Sequence, residues 1–251
     1  MADGPPWDAV AAEYGFAIRS RRPIRHAWRL ETDRGLYALK RAPPPSEAEI
    51  LRGMEDHLVA RGFTRLAHLV RTKSGAPECA AADGRRYVLR PWLPGARPCL
   101  DADHPRDLAR AAKAVAEMHL AAAGWLDARL PPAPAFSEAY LAEMCGFAEA
   151  DGRSGRFAAL YRRMLPEALR EGETACRLAR EADYAGALEE LAAGGGFCHG
   201  DLAAENMLVH GPEAYLLDFD RARCDVYPAD LGMLLRRILP AAGWHPAPAA
   251  A

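Results

Sequence analysis

The sequence is short of lysine, of paired cysteines, of long apolar runs and of net charge. Only three of its 32 basic residues are lysine (Lys40, Lys73 and Lys113), so each stands out in a chain that otherwise uses arginine. The six cysteines stand singly at 79, 99, 145, 176, 198 and 224, with no C-x-x-C pair. That spacing excludes a zinc ribbon and a small disulfide scaffold, and it predicts reduced thiols. No apolar run approaches the roughly 18 residues a membrane span needs, and Met1–Trp7 lacks the basic-then-apolar pattern of a secretion signal. A cytoplasmic protein with no membrane partner is expected. A net charge of -2 removes a strongly basic nucleic-acid binder from consideration.

Several sequence motifs are also absent. Without G-x-x-x-x-G-K-[ST], H-E-x-x-H or G-x-S-x-G, the P-loop, zincin and α/β-hydrolase chemistries have no carrier. Gly194-Gly195-Gly196 precedes a strand-like segment instead of joining strand to helix, so it is not a dinucleotide fingerprint.

What remains is 251 residues, 50% hydrophobic and 26% charged, enough for one large domain or two lobes around a sizeable core. Residues 16–92 read as short strands: Phe16–Arg22, His26–Thr32, Leu36–Arg41, Leu66–Arg71 and Arg86–Trp92, with turns at Asp33-Arg34-Gly35 and Asp83-Gly84. One helix interrupts them. It follows Pro43-Pro44-Pro45, with Ser46 and Glu49 spaced as a capping box, and puts Ile50, Leu51, Met54 and Leu58 on one face.

After Pro94-Gly95 the pattern turns helical: Pro105–Ala122, Ser137–Ala148, Arg156–Arg170, Thr174–Ala182 and Tyr184–Ala192. Then a hairpin is expected, Asn206–Val209 and Tyr215–Phe219 around His210-Gly211-Pro212-Glu213, and a last helix from Ala229 to Leu239. A small β-rich lobe, a hinge and a helical lobe carrying a hairpin is the predicted α+β architecture.

The chemistry concentrates in Cys198-His199-Gly200-Asp201-Leu202-Ala203-Ala204-Glu205-Asn206, followed by Asp218-Phe219-Asp220. Phosphoryl transfer needs a carboxylate to orient an acceptor hydroxyl and take its proton, which Asp201 would do. It also needs Mg²⁺, which prefers hard oxygen ligands. Asn206 just before the hairpin and Asp218 just after it would supply them from opposite strands.

His199-Gly200-Asp201-x-x-x-x-Asn206 with Asp218-Phe219-Asp220 resembles the catalytic core of the aminoglycoside phosphotransferase and choline kinase group, which shares the bilobal protein-kinase-like fold. Within that group the chain most resembles the kinase-like spore-coat proteins of the CotS family. The supporting stretches are Thr32–Lys40, Leu58–Phe63, Tyr87–Gly95, Met118-His119 and Tyr227–Leu231.

The resemblance implies a division at residues 1–92, covering the nucleotide, and 93–251, carrying the catalytic loop and metal site. It implies that ATP and Mg²⁺ serve a small-molecule kinase, with a hydroxyl-bearing acceptor. Lys40 would meet the α- and β-phosphates, with Glu47 as its acidic partner and Glu49 and Glu55 as alternatives. Trp92 and Leu93 would form the hinge that meets adenine. His199 and Asp230 would support the catalytic loop, whereas His119 reads as a hydrogen-bonded core residue. The alternative the resemblance implies is a structural or assembly protein of the bacterial spore coat, with spore-coat proteins as partners.

Three departures from the family pattern stand out. Arg22-Pro23-Ile24-Arg25-His26, between the first two strands, contains no glycine, where kinases close backbone amides over phosphates. Asp220 replaces the glycine of the protein-kinase triplet. About thirty residues follow Asp220, so the C-terminal helices that the resemblance implies are expected to be missing or truncated.

Overall fold

The computed structural model describes residues 5–81, 84–99, 105–133, 139–150 and 155–238. The expected helix start at Ser137, the helix end at Leu239, Asp83 of the predicted turn and the tail Gly243–Pro248 lie outside these residues.

Five strands form the first sheet: β1 (Ile18–Ile24), β2 (Ala27–Thr32), β3 (Gly35–Arg41), β4 (Cys79–Ala80) and β5 (Arg86–Pro91), in the order β1-β2-β3-β5-β4. Every pairing is antiparallel. Side chains alternate between faces, and directly opposed residues share one. Leu30, Leu39, Tyr87 and Leu89 are buried in a cluster with Val10 and Tyr14 of a helix that sequence periodicity did not reveal, α1 (Trp7–Tyr14). The register Ala27↔Lys40 and Arg29↔Ala38↔Arg90 assigns these residues to the opposite face. The alternation in Leu36-Tyr37-Ala38-Leu39-Lys40 therefore fixes which way Lys40 points.

The helix α2 spans Pro45–Ala60. Proline occupies its first position, where a missing N–H costs nothing, so Ser46 falls inside the first turn and not at the predicted cap. Its apolar face packs Ile50, Leu51, Met54 and Leu58 into the main core with Val115 and Met118 of α3 (Pro105–Ala122). The predicted strand Leu66–Arg71 is reduced to two isolated bridges, Leu66↔Leu216 and Val70↔Leu89. The segment thus runs between the two sheets without joining a ladder.

The remaining α-helices among the described residues are α4 (Ala139–Ala150), α5 (Arg156–Glu181), α6 (Tyr184–Gly194) and α7 (Tyr227–Ile238). Two helices were expected where α5 runs unbroken for 26 residues through Pro166. A proline removes one helical donor, and the surrounding Ala, Leu, Arg and Glu are good helix formers. A second sheet holds β6 (Arg97–Pro98), β7 (Met207–His210) and β8 (Glu213–Leu216). No described helix is long and apolar enough to cross a membrane.

Phe197, Leu202, Met207, Leu216 and Phe219 are fully buried beside α2 and α3. Each contributes about 1.5–3 kcal/mol of burial. These are the residues that flank His199, Asp201, Asn206 and Asp218, so the hydrophobic core itself sets the position of the polar loop.

Candidate active site

The loop from His199 to Asn206 is built on a buried carboxylate. Asp230, in the first turn of α7, is 1% exposed and accepts the backbone N–H of His199 at 2.7 Å and of Gly200 at 2.9 Å. His119 Nε2 sits 2.9 Å from the same carboxylate, as a hydrogen-bonded core residue. Burial pushes the Asp230 carboxyl up, but these donors outweigh it and hold the group below the usual carboxylate range.

His199 is fully buried. Its Nε2 lies 2.9 Å from the Leu217 carbonyl, and its Nδ1 receives the Asp201 N–H at 3.3 Å. That pattern suits the neutral ring with the proton on Nε2, and burial lowers its pKa. The ring therefore ties the loop to the Leu217 backbone. Gly200 follows at φ 76°, where an added Cβ would collide with the Arg221 carbonyl oxygen. This close approach accounts for the glycine between the histidine and the aspartate.

Asp201 and Asn206 meet directly. The Asn206 side-chain amide donates to the Asp201 carbonyl at 3.0 Å and to Asp201 Oδ2 at 3.2 Å. The Leu217 N–H donates to the Asn206 carbonyl at 2.8 Å, one step beyond the Met207↔Leu216 pair. Asp218 then leaves the ladder at φ 64°, a left-handed conformation in which Asp is among the better-tolerated residues.

Lys40 crosses to this region from β3. Its Nζ lies 2.7 Å from Asp218 Oδ1 and 2.6 Å from Asp220 Oδ2. Burial pushes both carboxyls up. For Asp218 the lysine charge and hydrogen bonds prevail and lower the pKa, whereas Asp220, facing the charge of Asp218 as well, is raised. Asp220 had no assigned role from sequence; two carboxylates two residues apart after a hairpin were the available signal.

The structure does not bring Glu47 to Lys40. Glu47 is exposed in the first turn of α2, and the lysine is held by Asp218 and Asp220 instead. The alternative Glu55 is fully buried, bonded to Arg90 Nη1 at 2.5 Å and to the Leu69 N–H at 2.8 Å. Glu49 lies 3.4 Å from Arg129. The hinge residues divide. The Trp92 N–H is committed to the Leu36 carbonyl at 2.9 Å, while the Leu93 N–H has no partner among the described residues. The Trp92 ring instead lies 5.8 Å from the Arg29 guanidinium.

The donor set fits magnesium. Asn206 spends its amide N–H₂ on Asp201, which leaves its oxygen free, and Asp218 already holds a cation in the form of the Lys40 ammonium. A separate buried trio, His119, Cys198 and Asp230, is not suited to a metal. Burial pushes the Cys198 thiol far up, and its S–H donates to the Asp225 carbonyl at 3.0 Å.

Comparison with known proteins bears on the family and the fold. A sequence profile described as the phosphotransferase enzyme family matches residues 24–250. An aminoglycoside phosphotransferase from Alicyclobacillus acidocaldarius is 26% identical over all of this chain and 76% of its own, with a TM-score of 0.82. The AMP-bound spectinomycin phosphotransferase is 15% identical over 91% of this chain and 73% of its own, at 0.70. An amicoumacin kinase in complex with AMP-PNP and Ca²⁺ shares the fold at 17% identity and 0.57, over 92% of this chain and 68% of its own. A search of curated proteins returned no match.

Proposed function

The chain belongs to the phosphotransferase enzyme family, and on that premise we propose that it moves the γ-phosphate of ATP to a hydroxyl of a small molecule with Mg²⁺. The observation that carries this reading is the contact of Asp201 with Asn206, together with the ion pair by which Lys40 of β3 reaches Asp218 after the hairpin.

Asp201 orients the acceptor hydroxyl and takes its proton at a carboxylate oxygen. Its rotamer is fixed by the Asn206 amide. Asn206 and Asp218 hold magnesium, which offsets phosphate charge when bound. Lys40 turns from its two carboxylates to the α- and β-phosphates, a point-charge contact that a compact ammonium suits. Leu93 offers its backbone to the base. Residues 1–92 cover the nucleotide, and 93–251 carry the loop and the acceptor site. Residues 131–195 carry 11 acidic and 7 basic side chains, which supports a cationic acceptor such as an aminosugar.

Titration of Mg·ATP against the purified chain tests the reading. Thermal stabilisation and slow ATP hydrolysis, both lost on Asp218→Ala, are expected; no response from the intact protein defeats the enzymatic reading.

The glycine-free turn between β1 and β2 favours a second reading, a kinase-fold structural or assembly protein of the bacterial spore coat with little turnover. The stretches Thr32–Lys40, Tyr87–Gly95 and Tyr227–Leu231 support that branch. Fractionation with coat material in a sporulating host is its test, and a location only in vegetative cells counts against it.

A further inference from the structure

A backbone cradle for phosphate needs several consecutive amides aimed one way. The β1–β2 hairpin offers only a short run of them. Ile24 pairs with Ala27, so Arg25 and His26 alone make the turn, and Pro23 before them has no N–H. Arg25 takes φ 49°, as the tight two-residue turn demands. Because Ala27 pairs in turn with Lys40, the tip stands beside the strand end that carries the lysine.

The Arg25 side chain reaches further. Its Nη1 lies 3.7 Å from Glu205 Oε1, and Glu205 immediately precedes Asn206 in the catalytic loop. The guanidinium thus spans the cleft from the sheet that carries Lys40 to the loop that carries Asp201 and Asn206. The two side chains are 72% and 58% exposed. Such a pair is weak and screened by water, so it yields readily to a stronger anion.

We infer that Arg25 binds the terminal phosphates of the nucleotide through its side chain, in place of the missing backbone cradle, with the Glu205 carboxylate holding that position until nucleotide displaces it. This rests on the nucleotide-binding reading above. A guanidinium presents a planar fork that matches phosphate oxygens in pairs. A magnesium ion offsets only part of the triphosphate charge; Lys40 supplies one further cation and Arg25 a second.

The test is a calorimetric ladder of adenosine, AMP, ADP and ATP with Mg²⁺, against wild type, Arg25→Ala and Arg25→Lys. Arg25→Ala should weaken ADP and ATP about tenfold or more and leave adenosine and AMP within about twofold, with Arg25→Lys restoring part of the loss. Equal losses across the ladder, adenosine included, would mean that Arg25 serves only to close the cleft, and would overturn the inference. So would an Arg25→Ala ladder identical to wild type. Wild-type protein that binds none of the four overturns the nucleotide reading itself, and this inference with it.

Discussion

The Asp230 carboxylate receives the His199 backbone N–H at 2.7 Å across 31 residues of chain. One buried charge on α7 thereby sets the backbone of the catalytic loop, and it is itself steadied by His119 from α3. The loop is consequently anchored to the helical core.

Replacing that carboxylate should therefore act on both fold and site. Asp230→Ala leaves two buried backbone donors and His119 without an acceptor, and the expected loss is about 3 kcal/mol or more. Urea unfolding measures it, and a change below about 0.5 kcal/mol, the range of neutral surface substitutions, would contradict the role.

Stability should fall on the acid side in two stages. His199 is kept neutral by burial, so its folded pKa lies below the ordinary 6.5. As pH drops below that value the unfolded chain gains a proton that the buried ring refuses, and stability decreases by up to about 1.4 kcal/mol per pH unit. Asp230 acts lower: its pKa is depressed from 3.8, so its contribution is complete above that value and is lost as pH falls through the folded pKa. Melting temperatures from pH 8 to 5 should decline from about 6.5 downward in wild type. In His199→Gln that decline should be shallower.

Asp201 and Asp218 should separate on substitution. On the proposed roles, Asp201→Asn would remove the proton acceptor while leaving the nucleotide contacts, so turnover should drop by about 10²–10⁴ with Mg·ATP affinity retained. Asp218→Asn weakens the pairing with Lys40 and would remove the proposed metal ligand, so Mg²⁺-dependent affinity should fall with the rate. Nucleotide titration alongside single-turnover kinetics distinguishes the two, and identical profiles would argue against the assigned roles.

Glu55 and Glu47 form a sharp pair because only one is buried. Glu55→Ala strands Arg90 in the interior and should cost about 3–5 kcal/mol. Glu47→Ala, at an exposed position, should stay within about 0.5 kcal/mol and leave Mg·ATP affinity unchanged. Chemical denaturation and nucleotide titration of both variants provide the comparison; weakened Mg·ATP binding in Glu47→Ala would revive its pairing with Lys40 in the bound state.

Much of the architecture was legible locally. Strands β2, β3 and β5 announced themselves by alternation, α2 and α3 by their apolar faces, and the hairpin β7–β8 by its turn residues, because each signal is confined to a few neighbouring positions. The short α1, the two-residue strands and the unbroken α5 were not, since they depend on what packs against them or on the absence of anything that does.

The sequence by itself determined the chemical inventory: a carboxylate, an amide and a second carboxylate at the two ends of one hairpin, in a chain of phosphotransferase type. Only the tertiary structure decided who meets whom. Lys40 finds Asp218 and Asp220 about 180 residues away, Glu55 disappears into the interior with Arg90, and Arg25 reaches Glu205 across the cleft. Periodicity and spacing report on contacts within a turn or a strand. Charged pairs between lobes are chosen by the packing that brings distant elements together.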